Sequence, residues 1–133
     1  MADAARSLLT ELRRTLLKHH KTLLDSERER YDHDVARIKS SGQLLNLVLH
    51  DPFFAWLHEL SELIVLIDET LDAKEPATAA DAARLLAQAR ALLMPAESGN
   101  GFRGQYFESL QRDPDVVIAH GAVVQALGRL SLP

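Results

Sequence analysis

The chain has 133 residues, 47% of them apolar and 26% charged, the composition of an ordinary globular domain, and residues 1–133 read as one helical-bundle domain. Its formal charge of −4 lacks the basic excess with which a whole domain neutralises phosphates, so nucleic acid is not an expected partner. The absence of cysteine excludes disulfides, thiol nucleophiles and thiolate metal sites, which suits a reducing cytoplasm, the expected location.

Asp3, Arg6 and Glu11 interrupt the first twelve residues, so they do not read as a signal peptide. Residues 3–39 contain neither proline nor glycine, and Leu9, Leu12, Leu16 and Leu23 recur at helical spacing, which predicts a long amphipathic helix. Ser40, Ser41 and Gly42 supply a stop, and residues 43–49 form one or two apolar turns. Asp51 followed by Pro52 is a start signal, because the carboxylate can cap a free amide and proline needs no donor at the first helical position. Phe53, Leu57, Leu60, Ile64, Ile67 and Leu71 then mark a buried stripe. His58, Glu59, Glu62, Asp68 and Glu69 break the apolar run over residues 53–71 too often for a membrane span, so no membrane association is expected.

Thr78 with Asp81 predicts a capped third long helix whose core face carries Leu85, Ala89, Leu92 and Leu93, ended by Pro95. The glycine-rich residues 95–101 form a flexible loop, in which Asn100, Gly101 and Arg103 offer an anion contact at the next helix start. A shorter helix carries Phe102, Tyr106, Phe107 and Leu110. Asp113 and Pro114 open a final helix through Val116, Val117, Val123, Val124 and Leu127. No segment alternates with period two, so the fold expected is all-α, a helical bundle of four main helices plus short connecting helical turns.

Asp-Pro followed six residues later by histidine occurs twice, ending at His58 and at His120; a duplicated helix pair would put both rings at equivalent points. His120 falls on the apolar stripe of the last helix and points inward, where it needs a carbonyl, a carboxylate or a tyrosine as partner. In the first helix the leucine stripe runs on into Glu27, Arg30 and Asp34, with His20 and Tyr31 on its shoulder. A helix over residues 3–39 is about 55 Å long, against about 30 Å for residues 52–71. The polar half therefore reads first as a solvated extension, and otherwise as one wall of an internal pocket formed by His120, His20, Glu27 and Tyr31.

No Glu-x-x-His occurs, so a di-iron carboxylate site is not expected and no metal ligand is assigned. No G-x-S-x-G elbow is present, and whether the chain is an enzyme stays open, with no catalytic residue or cofactor assigned. Arg13, Arg14, Lys18 and Lys21 form a local basic strip, answered further along by Glu27, Glu29, Asp32 and Asp34. Phe53, Phe54 and Trp56 cannot share one helical stripe, and the final helix is apolar nearly all round. Phe54, Trp56 and Ile118 are thus expected at a contact between subunits. The function expected is a homodimeric binding or interaction module without catalysis, open to a protein partner. The alternative is a small-ligand or metal-binding bundle using the pocket around His120.

Overall fold

A computed structural model describes residues 2–97, 99 and 101–132. Six α-helices and one 3₁₀ helix follow each other without a strand among these residues. They are α1 (Ala2–Asp34), α2 (Ser41–His50), the 3₁₀ helix (Pro52–Leu57), α3 (His58–Asp72), α4 (Ala79–Leu92), α5 (Phe102–Arg112) and α6 (Pro114–Arg129). The four main helices expected are α1, α3, α4 and α6. Among the described residues, no helix is long and apolar enough to cross a membrane.

α1 is the central element and packs on α3, α4 and α6. Ala5, Leu9, Leu12, Leu16 and Leu23 are fully buried along it, as the three-and-four spacing requires. α3 runs antiparallel to α1. Arg6 donates to the Leu71 carbonyl at 3.1 Å, Arg13 meets Asp68 at 3.0 Å, and His20 Nε2 lies 2.8 Å from Ser61 Oγ. Arg90 of α4 donates to the carbonyls of Leu127 and Leu130, tying α4 to the end of α6.

α1 stops at Asp34, short of the expected serine-glycine stop. The Tyr31 carbonyl takes the amides of both Val35 and Ala36, and the Asp32 carboxylate takes that of Ile38. This turn lets Ile38 enter the core. Ser40 begins α2 instead of ending α1: its hydroxyl accepts from the Gln43 amide at 3.1 Å, and the Gln43 side chain accepts from the Lys39 amide at 2.7 Å.

The Asp-Pro starts are both real. Asp51 accepts from the Phe53 amide at 2.8 Å and Asp113 from the Asp115 amide at 2.9 Å. The first opens a 3₁₀ helix, where a single long α-helix is predicted. At about three residues per turn, Phe54 and Leu57 fall on one line, and both are fully buried. Thr78 and Asp81 form a reciprocal capping box, both bonds 3.0 Å, and these hydrogen bonds hold the Asp81 carboxyl below its ordinary pKa.

The loop before α5 is tied down by the Ala96 amide donating to the Arg103 carbonyl, and by Arg103 Nε donating to the Met94 carbonyl at 2.6 Å. Arg103 is thereby committed to the loop in place of the anion contact expected of it; Asn100 lies outside the described residues. Gly99 has a positive φ of 117°, and a Cβ on Gly104 would strike the Gly99 backbone. These glycines serve a tight turn and a close helix approach.

Candidate functional site

The four residues expected around one pocket are distributed over four places. His20 pairs with Ser61 at the α1–α3 seam, and burial lowers its pKa. Tyr31 is buried with its ring centroid 5.1 Å from that of Phe53 and 5.6 Å from that of Phe54. Glu27 and His120 belong to two separate polar clusters.

Glu27 is 1% exposed, so the solvated extension expected of this part of α1 is not what forms. The 3₁₀ helix and α5 cover it, adding length that α3 alone lacks. Its carboxylate accepts from Arg30 Nε at 3.1 Å, an Arg30 terminal nitrogen at 2.9 Å, Arg112 at 2.7 Å and the Trp56 indole at 3.1 Å. Four donors fill the lone-pair sites of a carboxylate, and two guanidiniums more than offset its one negative charge. Donating its hydrogen bonds to Glu27 raises the Arg30 pKa, and the Arg30 guanidinium also lies 3.9 Å over the Phe53 ring. No valence is left on Glu27 for a ligand.

The second cluster is neutral. His120 is half-buried on α6, and its Nδ1 lies 2.6 Å from the Tyr106 hydroxyl of α5. That hydroxyl lies 2.8 Å from Nε2 of His19, on α1. His120 thus has the tyrosine partner foreseen for an inward ring. His58, its counterpart in the Asp-Pro repeat, donates to the Val48 carbonyl, so the two rings play different parts. Burial, and next the nearby His120, push the His19 pKa down to about 4. Burial lowers that of His120 and raises that of Tyr106. All three groups are therefore uncharged at neutral pH.

His19, which the helical projection passed over in favour of its neighbour His20, is 3% exposed. The signal was available: it stands three residues after Leu16 and four before Leu23, on the leucine stripe itself. Its Nδ1 is the buried side-chain nitrogen or oxygen that lacks a hydrogen-bond partner among the described residues. Tilted ring contacts join the two clusters: Trp56 to Phe102 at 5.3 Å, then Phe102 to Tyr106 at 5.5 Å.

Of the residues expected at a subunit contact, Phe54 is fully buried and Trp56 is 9% exposed, so both belong to this chain's own core. Phe54 sits on the inward line of the 3₁₀ helix, and the Trp56 ring is held between Phe102 and the Glu27 carboxylate. Ile118 is 72% exposed, and Val117 and Val124 of the same helix are exposed as well. Among the described residues, no three histidine, aspartate or glutamate side chains converge on a point where a metal ion could sit. Comparison of the chain with models of protein families, with curated proteins and with solved structures finds no match.

Proposed function

We propose that the protein is a homodimeric interaction module without catalysis, and that its subunits meet through the outer face of α6. One observation carries this reading. Val117, Gly121, Val124 and Gly128 follow one another at intervals of four, three and four along α6, with Ile118 beside them. The valines and Ile118 are exposed, and a Cβ added at either glycine would meet nothing within 4 Å. The stripe therefore alternates bulky apolar residues with gaps, and no charged residue interrupts it between Asp115 and Arg129.

Such a stripe is its own complement. A two-fold axis across the helix, pairing α6 antiparallel with a second copy, brings Val117 over the partner's Gly128 and Val124 over the partner's Gly121. Each contact is then repeated by symmetry, as a closed isologous dimer requires. Close approach at glycine also lets the helix backbones gain dispersion contact. The cysteine-free composition favours a cytoplasmic setting for this dimer.

Sedimentation over a range of protein concentrations tests the proposal. The native chain is expected to dimerise, while Gly121→Leu and Val124→Asp are expected to stay monomeric with unchanged helical circular dichroism. A native chain that remains monomeric at its highest soluble concentration, or variants that dimerise as it does, would overturn it.

A further inference from the structure

A cleft of about 260 Å³ opens between α1 and α6. Its α6 side is apolar and shallow, made by Ala119, Ala122 and Ala126, small residues that leave the space a larger side chain would fill. Arg14, Lys18 and Arg129 stand around it, and no acidic residue lines it. Arg14 also meets Glu11 at 2.9 Å, whereas Lys18 and Arg129 form no ion pair among the described residues. His19 contributes a wall of the same cleft, and His19 carries the unpaired buried Nδ1. An apolar surface and three cations, two of them without an ion pair among the described residues, thus meet beside a histidine whose buried Nδ1 has an unused hydrogen-bonding valence.

The His19–Tyr106–His120 chain has two proton arrangements, each with one proton on every group. In the first, His19 Nε2–H donates to the Tyr106 oxygen and the Tyr106 hydroxyl donates to His120 Nδ1, which leaves His19 Nδ1 as a bare lone pair. In the second, Tyr106 donates to His19 Nε2, His120 Nδ1–H donates to Tyr106, and His19 carries its proton on Nδ1. Without a ligand the first is favoured, because a buried N–H without an acceptor is the rarer and costlier orphan. An anionic oxygen in the cleft reverses the preference by giving Nδ1–H an acceptor.

We propose that the α1–α6 cleft binds a small amphipathic anion, its carboxylate or phosphate held by Arg14, Lys18 and Arg129 and offered to His19, its short apolar body lying over Ala119, Ala122 and Ala126. Binding selects the second proton arrangement, so occupancy is transmitted through Tyr106 to His120 on the far side of the chain. The proposed dimer stripe uses a different flank of α6, and the two proposals stand or fall separately.

Titration with octanoate and with octyl phosphate, followed by calorimetry and by long-range ¹H–¹⁵N spectra of the imidazole rings, tests the site. Octanol supplies the body without the charge, and inorganic phosphate supplies a charge without the body. Saturable binding of one amphipathic anion per chain is expected, with octanol and phosphate much weaker; the tighter of the two anions identifies the head group. Ala122→Leu fills the cleft at an exposed position, and Arg129→Gln removes one charge-assisted hydrogen bond. Each is expected to weaken binding by about tenfold or more while leaving circular dichroism unchanged. Bound ligand is expected to move the His19 proton to Nδ1 and to change the His120 tautomer with it. No saturable binding, binding indifferent to both substitutions, or octanol binding as well as octanoate would overturn the site; binding with both rings unchanged would overturn the role given to His19.

Discussion

The Glu27 cluster and the His19–Tyr106–His120 cluster lie at two ends of one run of aromatic rings, yet they solve the problem of buried polarity in opposite ways. Glu27 keeps its charge and saturates it with four donors from three elements. The histidine cluster gives up its charge and retains an unpaired nitrogen. A saturated charged cluster fixes one geometry, because every departure leaves a charge uncompensated. A neutral chain of two imidazoles and a hydroxyl has two proton arrangements, and in the proposed cleft the choice between them depends on what is placed beside His19. Rigidity belongs to the first cluster and responsiveness to the second.

Glu27→Ala is expected to have the largest effect, since it leaves two guanidiniums and the Trp56 indole without their shared acceptor. Loss of about 3–5 kcal/mol in urea denaturation is the outcome expected when one partner of a buried ion pair is removed. A loss below about 1 kcal/mol, the worth of an exposed pair, would show that the cluster is not the fixed end of the comparison.

Acid should act mainly on the other cluster. His19 has its folded-state pKa lowered to about 4 from an ordinary 6.5, so the unfolded chain takes up a proton first as pH falls. The stabilisation is complete above about pH 6.5 and is lost progressively down to about pH 4, with a total of up to about 3 kcal/mol from His19. His20 and His120, also lowered by burial, add slope of the same sign. Denaturation midpoints that are flat across this window would contradict the buried neutral ring.

Tyr106→Phe keeps the run of aromatic rings but strips both histidines of their common partner, with an expected loss of about 1–3 kcal/mol. It should also uncouple the ring nitrogens, so that a ligand-induced change at His19 no longer reaches His120. The smallest effect has the reverse sign. Gly121→Ala meets open space in the isolated chain and is expected to stabilise α6 by roughly 0.5–1 kcal/mol, while weakening self-association. Melting at low and high protein concentration separates the two contributions.

The helices were legible because their signals are local. Asp51 with Pro52, Asp113 with Pro114, and Thr78 with Asp81 all cap the segments that follow them, and the leucines of α1 are buried at their predicted spacing. The fate of Glu27 was not legible, because its burial depends on Trp56 and Arg112, partners 29 and 85 residues distant that no helical projection can supply. The aromatic crowd at Phe53, Phe54 and Trp56 misled for a related reason. Assuming α-helical pitch leaves too many rings for one stripe, whereas the tighter 3₁₀ pitch turns Phe54 and Leu57 inward together and frees Trp56 to meet Phe102. His19 was lost through a shift of one residue, a small error on a helix that exchanges a wall of the α1–α6 cleft for a seam residue.

The central position of α1 also sets the timetable of biosynthesis. The helix that leaves the ribosome before the other five finds its α6 partner only after α2 to α5 have been made, and Arg112 follows Glu27 by 85 residues. At about 5–20 residues per second, this interval lasts roughly 4–17 s. Through that time the leucine face of α1 has no completed shelter, and the nascent protein presents to chaperones the surface that the finished protein hides most completely.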